Sequence, residues 1–234
     1  MSTTIHPRKQ ERPGRPVANP DRHTRELLLT AATELFAEHG VAATSFTTIA
    51  RRANLTPAMM HYYFDDRDQL MDAVVEERLL PIIAYVWDPV KPGDPSEIIR
   101  GIVERLLSGV ERAPWVPSTW MREILNEGGL LRGKVLPRIP VDKVRLVGQA
   151  IRAGQTRQAL NPDLDPLLVV FSALGLVMLH MATIKVWAEI FHRPALSAEA
   201  MCRHISALLL DGLRHSPRPP RQPVRSQRSL RRKP

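Results

Sequence analysis

The chain has 234 residues, 44% of them hydrophobic, which excludes disorder throughout and allows one large core or a small domain joined to a larger one. Its net charge of +9 comes from its ends, because residues 1–19 carry +3, residues 216–234 carry +7, and the body between them carries −1. A single cysteine, Cys202, excludes an internal disulfide framework and a Cys-rich metal site, and it fits a reducing cytoplasm.

Both ends of the chain are basic segments without an apolar core. Residues 1–19 lack the apolar stretch of a secretory signal, and we interpret them as a mobile basic N-terminal arm. They are compatible with a solvated segment and with an arm that follows a DNA groove. Residues 216–234 contain Pro and Arg but no acidic residue, which is typical of a disordered basic tail.

The first helix is predicted to run from Asp21, as its N-cap, to Glu38. Gly40 follows in the C-cap position, where a left-handed residue ends a helix. An apolar stripe at helical spacing consists of Leu28, Ala31, Ala32, Leu35 and Phe36. This stripe predicts that the helix covers the back of the next two helices and completes a three-helix domain over residues 20–67.

The stretch from Ser45 to Arg67 predicts two short helices joined by a tight turn. Asn54 adopts the left-handed conformation at low cost and is placed to end the first of them. Thr56 and Pro57 favour a helix start, because a hydroxyl can cap a free N–H and proline has no N–H to leave unpaired. Two helices that meet at a sharp angle indicate a helix-turn-helix, whose second helix enters the DNA major groove.

The second helix of this pair separates into two faces. Met60 and Phe64 are four residues apart and are predicted to point inward. The outward face is predicted to contain Pro57, Ala58, Met59, His61, Tyr62 and Tyr63. Exposed imidazole and phenol groups suit contacts with base edges, thymine methyls and phosphates, although packing against a neighbouring helix is the alternative. Because residues 20–70 carry five Arg against seven acidic residues, the Arg side chains must act by position rather than as a basic patch.

Residues 24–70 resemble the DNA-binding domain of the TetR family of bacterial transcription regulators. The shared features, in chain order, are Thr24-Arg25, Ala31-Ala32, Leu35-Phe36, Gly40, Ile49-Ala50, Tyr63-Phe64, Arg67 and Leu70. The resemblance implies that Ser45 and Thr47 contact phosphate and that the outward face of the second helix enters the groove. It also implies that Arg67, at the start of the next helix, contacts the DNA backbone. The family commonly has Gly, Tyr and Lys where this chain has Asn54, His61 and Arg67, and His61 leaves the base preference unpredicted.

The rest of the chain is predicted to be helical, without strand-like alternation of useful length. A fourth helix is predicted from near Asp66 to Trp87, kinked or divided at Pro81. Asp94 as N-cap and Pro95 at the first position restart a helix. Helices are predicted over residues 95–112, 118–129, 141–155, 167–191 and 197–215. The predicted fold is therefore all-α, with an N-terminal helix-turn-helix DNA-binding domain over residues 20–67 and a larger effector-binding and dimerisation domain over residues 68–215.

The last two predicted helices, residues 167–191 and 197–215, are unusually apolar. Residues 167–184 carry no formal charge over 18 residues, the threshold for a membrane span, but Ser172, His180 and Thr183 favour a helix buried in protein. These helices carry more apolar surface than one subunit of this size readily buries. We therefore expect a homodimer through them and no membrane association, and in the resembled family such a dimer sets two reading helices into successive grooves of a palindrome.

Motifs for catalysis or cofactor binding are weak. Glu189 and His192 form one Glu-x-x-His, whereas a di-iron helical bundle needs two such motifs and two more carboxylates. The sequence has no Gly-rich phosphate loop, nucleophile elbow or zincin motif. It therefore predicts no enzyme, no metal and no cofactor.

Regulators that resemble this chain hold a small, largely apolar effector among the helices of the second domain, and its binding shifts the fourth helix. The candidates for such a site are aromatic and sulphur-bearing side chains, with Glu123 or His180 as an orienting polar group. They are Tyr85, Trp87, Trp115, Trp120, Met121, Met178, His180 and Met181. Each of them is also compatible with an ordinary core position.

The sequence thus predicts a cytoplasmic one-component transcription regulator, a dimeric repressor that a small effector releases from a palindromic operator. The alternative is a sequence-tolerant nucleic-acid binder in which the basic tails dominate and the helical body is a dimerising scaffold.

Overall fold

The computed structural model describes residues 20–214, and the arm and tail predicted at residues 1–19 and 216–234 lie outside the described residues. Within this range the structure contains helices and one isolated bridge between Leu160 and Arg214, which confirms the all-α prediction. The α-helices are α1 (Pro20–His39), α2 (Phe46–Arg52), α3 (Pro57–Tyr63), α4 (Arg67–Val74), α5 (Leu80–Trp87), α6 (Pro95–Arg112), α7 (Val116–Thr119), α8 (Arg132–Val135), α9 (Val141–Thr156), α10 (Pro166–Ile190) and α11 (Ala198–Leu213). Two π-helical segments, Val75–Leu79 and Trp120–Ile124, and the short 3-10 helix Leu136–Arg138 complete them.

Helix α1 has the predicted apolar stripe, but it is already helical at Pro20, before the predicted N-cap Asp21. Because Pro20 is already helical, Asp21 lies in the first turn and is not the N-cap, which corrects the prediction. All five residues of the stripe are buried. Gly40 has a φ of +84°, and its N–H donates to the carbonyl of Phe36 over 2.9 Å, so the predicted left-handed helix end is confirmed.

The turn between α2 and α3 follows the prediction in its backbone. Asn54 has a φ of +57°, and the N–H of Leu55 donates to the carbonyl of Ala50 over 2.8 Å. Pro57 occupies the first turn of α3 as expected. The expected side-chain cap is wrong, however, because Thr56 has the extended N-cap backbone but its hydroxyl makes no capping hydrogen bond.

The predicted fourth helix is continuous through Pro81 rather than divided there. Its N-cap is Asp66, whose carboxylate accepts from the N–H of Gln69 over 2.8 Å. Helix α4 passes into the π-helical segment Val75–Leu79, and α5 continues from Leu80. Proline lacks an N–H and its ring crowds the carbonyl four residues earlier, so the wider π-helical turn just before Pro81 accommodates it without ending the helix.

The contacts of the chain form two compact units. The first contains residues 20–82 with 114–138, and the second contains residues 83–113 with 139–214. The predicted boundary between residues 67 and 68 stays a prediction, and the contacts divide the chain differently, because the segment 114–138 packs with the helix-turn-helix. In that unit α7 lies against α1.

Each unit has its own apolar core. In the first, Phe36, Met60 and Phe64 are among the buried side chains, with at most 1% of their surface exposed. In the second, α6 packs against α9, α10 and α11. Ile99, Ile102 and Val103 of α6 are buried in this core, whereas Ile98 is half-buried.

Candidate DNA-binding surface and effector region

The outward face of α3 is accessible. Pro57, Ala58, His61 and Tyr62 are exposed, and 69% of the surface of Tyr62 is open to solvent. Met59 and Tyr63 are half-buried at the margins of this face. Met60 on the opposite face is fully buried, so the helix is anchored from behind and presents the predicted residues outward.

Aromatic contacts orient the polar rings of this face. The ring of Phe46, the first residue of α2, lies 5.3 Å from the His61 ring between centroids, with the planes tilted by 55°. The rings of Tyr62 and Tyr63 meet edge to face at 4.8 Å. Phe46 is a contributor that the sequence prediction missed, although its place directly after Ser45 was a visible signal.

Tyr63 is also held by the first helix. Its hydroxyl donates to a carboxylate oxygen of Asp21 over 3.3 Å. Desolvation raises the pKa of the Tyr63 phenol, and the charge of Asp21 raises that pKa further. The phenol therefore stays protonated at neutral pH and retains an O–H donor.

The residues predicted to touch phosphate lie at the start of α2. The Ser45 hydroxyl is the N-cap of α2 and accepts from the N–H of Thr48 over 3.1 Å, while it remains exposed. Thr47 is exposed on the same turn. The N–H groups of this first turn face in the direction that favours anions, so the geometry suits a phosphate contact.

Arg67 has a role inside the protein that the sequence did not indicate. Its guanidinium donates to the carbonyls of Thr44 over 2.6 Å and Ala42 over 3.3 Å. It therefore fixes the loop between α1 and α2, and only its remaining N–H groups are available for a DNA contact.

The arginines near this surface differ in whether they form ion pairs within the protein. Arg52 donates two hydrogen bonds to Glu38, at 2.7 and 3.0 Å, and these bonds raise its pKa. Arg25 is likewise paired with Glu77. Arg22 and Arg51 are exposed and have no ion-pair partner within residues 20–214. They are two cations of the helix-turn-helix domain that are available for phosphate.

The predicted effector residues are divided between the two units. Trp115, Trp120, Met121 and Glu123 lie in the first unit, whereas Tyr85, Trp87, Met178, His180 and Met181 lie in the second. Trp87 and Met178 are buried core residues. The Tyr85 hydroxyl donates to the Ser108 hydroxyl over 3.4 Å, and Arg112 lies over the Tyr85 ring at 4.0 Å.

Glu123 is a structural residue of the first unit. Only 5% of its surface is exposed, and its two carboxylate oxygens accept from the N–H of Val41 over 2.8 Å and from the N–H of Leu130 over 3.0 Å. Both oxygens are thus used to join the loop after α1 to the segment 114–138. These hydrogen bonds give Glu123 a structural role, and its contact with an effector stays a prediction.

A cleft of about 380 Å³ in the second unit is lined by the last turns of α10, the following loop and the start of α11. Of the predicted effector residues, only His180 lines it. The other lining residues are Ile184, Trp187, Ala188, Phe191, Arg193, Pro194, Ala195, Leu196 and Met201. Trp187 and Phe191, four residues apart on the final turns of α10, were a sequence signal that the prediction did not use.

Glu189 and His192, which gave the Glu-x-x-His motif, belong to no metal site. Within residues 20–214 there is no group of three or more His, Cys, Asp or Glu side chains that could hold a metal ion.

Residues 28–74, which contain α2 and α3, match the family described as "Bacterial regulatory proteins, tetR family". AcrR of Shigella flexneri is 30% identical over 86 residues, which cover 36% of this chain and 40% of AcrR. UidR of Escherichia coli K12 is 23% identical over 190 residues, or 80% of this chain and 93% of UidR. The ketosteroid transcriptional regulator KstR2 of Mycobacterium tuberculosis has a similar structure, with a TM-score of 0.66 at 19% identity over 83% of this chain and 96% of KstR2.

The match over residues 28–74, together with the exposed second helix of the helix-turn-helix, indicates a DNA-binding transcription regulator. Its helix-turn-helix segment is thus similar to that of the TetR family of bacterial regulators, and its all-helical fold is similar to that of KstR2.

Proposed function

We propose that the chain acts as a homodimeric repressor that binds a palindromic operator and is released by a small, largely apolar effector. The observation that carries the proposal is the exposed outward face of α3, held from behind by the buried Met60 and Phe64. An anchored helix with free polar rings is what groove reading requires.

The DNA contacts are assigned by position. Pro57, Ala58 and Met59 offer apolar groups to thymine methyls, and His61 and the two tyrosines offer hydrogen-bonding groups to base edges or phosphates. Ser45 and Thr47 contact phosphate from the first turn of α2. Arg51 adds a free cation for the DNA backbone, and Arg67 contributes mainly by fixing the loop on which α2 begins.

The dimer is assigned to the last two helices. Helix α10 exposes a continuous apolar stripe at helical spacing, formed by Leu168, Phe171, Leu179, Val186 and Ile190, each at least 50% exposed. Leu208 of α11, 52% exposed, adds to this surface. A contiguous apolar surface of this size calls for a partner, and a second copy related by two-fold symmetry covers both stripes at once.

A lipid partner is the competing explanation for α10. It is the one described helix long and apolar enough to cross a membrane, and 28% of its most apolar 18-residue window is buried within the chain. Buried residues such as Val170, Ala173 and Val177 form its other face, which packs on α6 and α9. Such a two-sided helix supports a protein interface in the cytoplasm, where the operator is.

Binding-site selection from random DNA with the full chain tests the proposal. We expect enrichment of one palindrome with two half-sites about one helical turn apart. Changing His61 and Tyr62 together to Ala should abolish this preference, because a good base contact contributes about 1–3 kcal/mol of discrimination. Enrichment of no sequence would contradict the proposal.

The sequence-tolerant nucleic-acid binder is separated from the repressor by deleting residues 216–234. If the repressor proposal holds, the deletion lowers general affinity and salt dependence but preserves the preferred palindrome. If the deletion abolishes all binding while the His61 and Tyr62 changes have no effect, the basic tails are the DNA-binding element.

A further inference from the structure

The cleft at the end of α10 combines a flat apolar wall with a free cation. The rings of Trp187 and Phe191 are stacked at 5.7 Å with an interplanar angle of 16°. The indole N–H of Trp187 donates to the Thr183 hydroxyl over 3.1 Å, so its hydrogen-bonding need is met on the helix itself. Half or more of the surface of each of the two side chains stays exposed and is available to an apolar or aromatic molecule.

The end of α10 sets the position of Arg193 beside this wall. His192 has a φ of +49° and ends the helix in the left-handed conformation. The N–H of Arg193 then donates to the carbonyl of Ala188 over 3.0 Å, and the N–H of His192 donates to that of Glu189 over 3.2 Å. This pair of hydrogen bonds is a Schellman-type helix end, which turns the chain back and fixes the backbone of Arg193.

The charge of Arg193 is not neutralised by the described part of the chain. Its guanidinium lies 5.9 Å from the centre of the Phe191 ring and forms no ion pair with a carboxylate of residues 20–214. The nearby Glu199 is already paired with Arg203. A guanidinium offers a planar set of donors that matches a carboxylate in two parallel hydrogen bonds.

His180 supplies a second polar group. Its Nδ1 lies 2.6 Å from the carbonyl of Leu176, and because a carbonyl only accepts, Nδ1 carries the proton. Its ring lies 6.1 Å from that of His204. In the neutral ring, the acceptor lone pair then lies on Nε2.

We propose that this cleft binds a small aromatic carboxylate, with the carboxylate on Arg193 and the apolar body against Trp187 and Phe191. The volume of about 380 Å³ lies within the range of small-molecule sites, roughly 300–1,000 Å³. The proposal deepens the proposed function by naming a site and a chemical class for the effector. The effect of the ligand on operator binding rests on that function, whereas binding of the ligand to the cleft does not.

Calorimetric titration of the full chain with 1-naphthoate and its uncharged analogue 1-naphthamide tests the site. We expect one naphthoate per chain and an affinity for naphthamide lower by about tenfold or more, because a charge-assisted pair is lost. Arg193→Gln should lower naphthoate affinity to that of naphthamide and leave naphthamide unchanged. Trp187→Ala should weaken both. The matched control is Arg152→Gln, an exposed arginine of α9 that does not line the cleft and should change neither.

Equal affinity for the two compounds, or a carboxylate preference that survives Arg193→Gln, would overturn the inference. A second copy of the chain that fills the cleft would also overturn the inference. In that case naphthoate would bind only after Phe171→Glu separates the two copies. Titration of the operator in the presence of naphthoate distinguishes binding at the cleft from its effect on DNA affinity. If naphthoate binds with the expected preference while operator affinity stays the same, the site holds and the effector part of the proposed function fails.

Discussion

The Phe46 ring lies 5.3 Å from the His61 ring and is tilted by 55° to it. The first residue of α2 therefore orients the imidazole on the outward face of α3. Phe46 is half-buried and His61 is exposed. A packed aromatic neighbour restricts the rotamers of the imidazole before DNA arrives, which lowers the entropy that must be lost on binding.

Phe46→Leu should therefore weaken operator binding by a few fold to about tenfold and broaden the base preference opposite His61. Fluorescence anisotropy with operators changed at single positions measures both effects. Phe46→Tyr keeps the ring and serves as the matched control. An unchanged preference in Phe46→Leu, with a normal thermal transition, would show that His61 needs no support from Phe46.

The left-handed conformation of Asn54 gives a prediction about stability. At a φ of +57°, Asn54→Ala should lower the free energy of unfolding by about 1 kcal/mol, because a Cβ without a local polar group disfavours this region. Asn54→Gly should be neutral or slightly stabilising, since glycine accepts this conformation. Urea denaturation followed by circular dichroism measures both variants. If the two variants proved equally stable, the strain at this position would be negligible.

Features set by neighbours in the chain were predictable, whereas contacts between distant residues were not. Asn54 and Gly40 are left-handed, and Met60 and Phe64 are buried, because conformational preference and helical spacing are local properties. The partner of Glu123 is Val41, 82 residues earlier, and no local pattern indicates such a pairing. The placement of the segment 114–138 beside the helix-turn-helix follows from packing of this kind, so the sequence could not show it.

Glu123 gives the second prediction about stability. Glu123→Ala should lower the free energy of unfolding by about 1–3 kcal/mol, because it leaves the buried N–H of Val41 and the partly buried N–H of Leu130 without acceptors. Glu123→Gln should lose less, since its carbonyl oxygen can serve one of the two donors. Chemical denaturation of the full chain gives both values. If the Ala and Gln variants lost equal stability, only a carboxylate with its two acceptor oxygens would satisfy the two N–H groups.

The apolar stripe of α10 gives a prediction about assembly. Phe171→Glu should shift the chain from dimer to monomer at micromolar concentration, because it places a charge in the centre of the proposed interface. Sedimentation velocity measures the change. Leu125→Glu is the matched control, since Leu125 is a leucine of the first unit with 52% of its surface exposed. A dimer that persists in Phe171→Glu would place the interface elsewhere.

The ion pair between Arg25 and Glu77 gives a prediction about acid stability. The two side chains are 2.5 Å apart, and the hydrogen bond from Arg25 holds the pKa of Glu77 below its ordinary value of 4.5. A lowered folded-state pKa contributes stability above the unfolded-state pKa that is lost as the pH falls through the folded-state pKa. Both side chains are about one-third exposed, so the contribution should be only about 0.5–1 kcal/mol.

Glu77→Gln should therefore lower stability at pH 7 by about this amount, and the difference from the wild type should shrink as the pH falls through the lowered folded-state pKa of Glu77. Urea titrations from pH 7 to pH 3 measure the difference. Glu199→Gln removes a more exposed carboxylate that pairs with Arg203 and should change stability less at every pH. A stability difference for Glu77→Gln that stays constant down to pH 3 would show that the loss comes from packing and not from the charge.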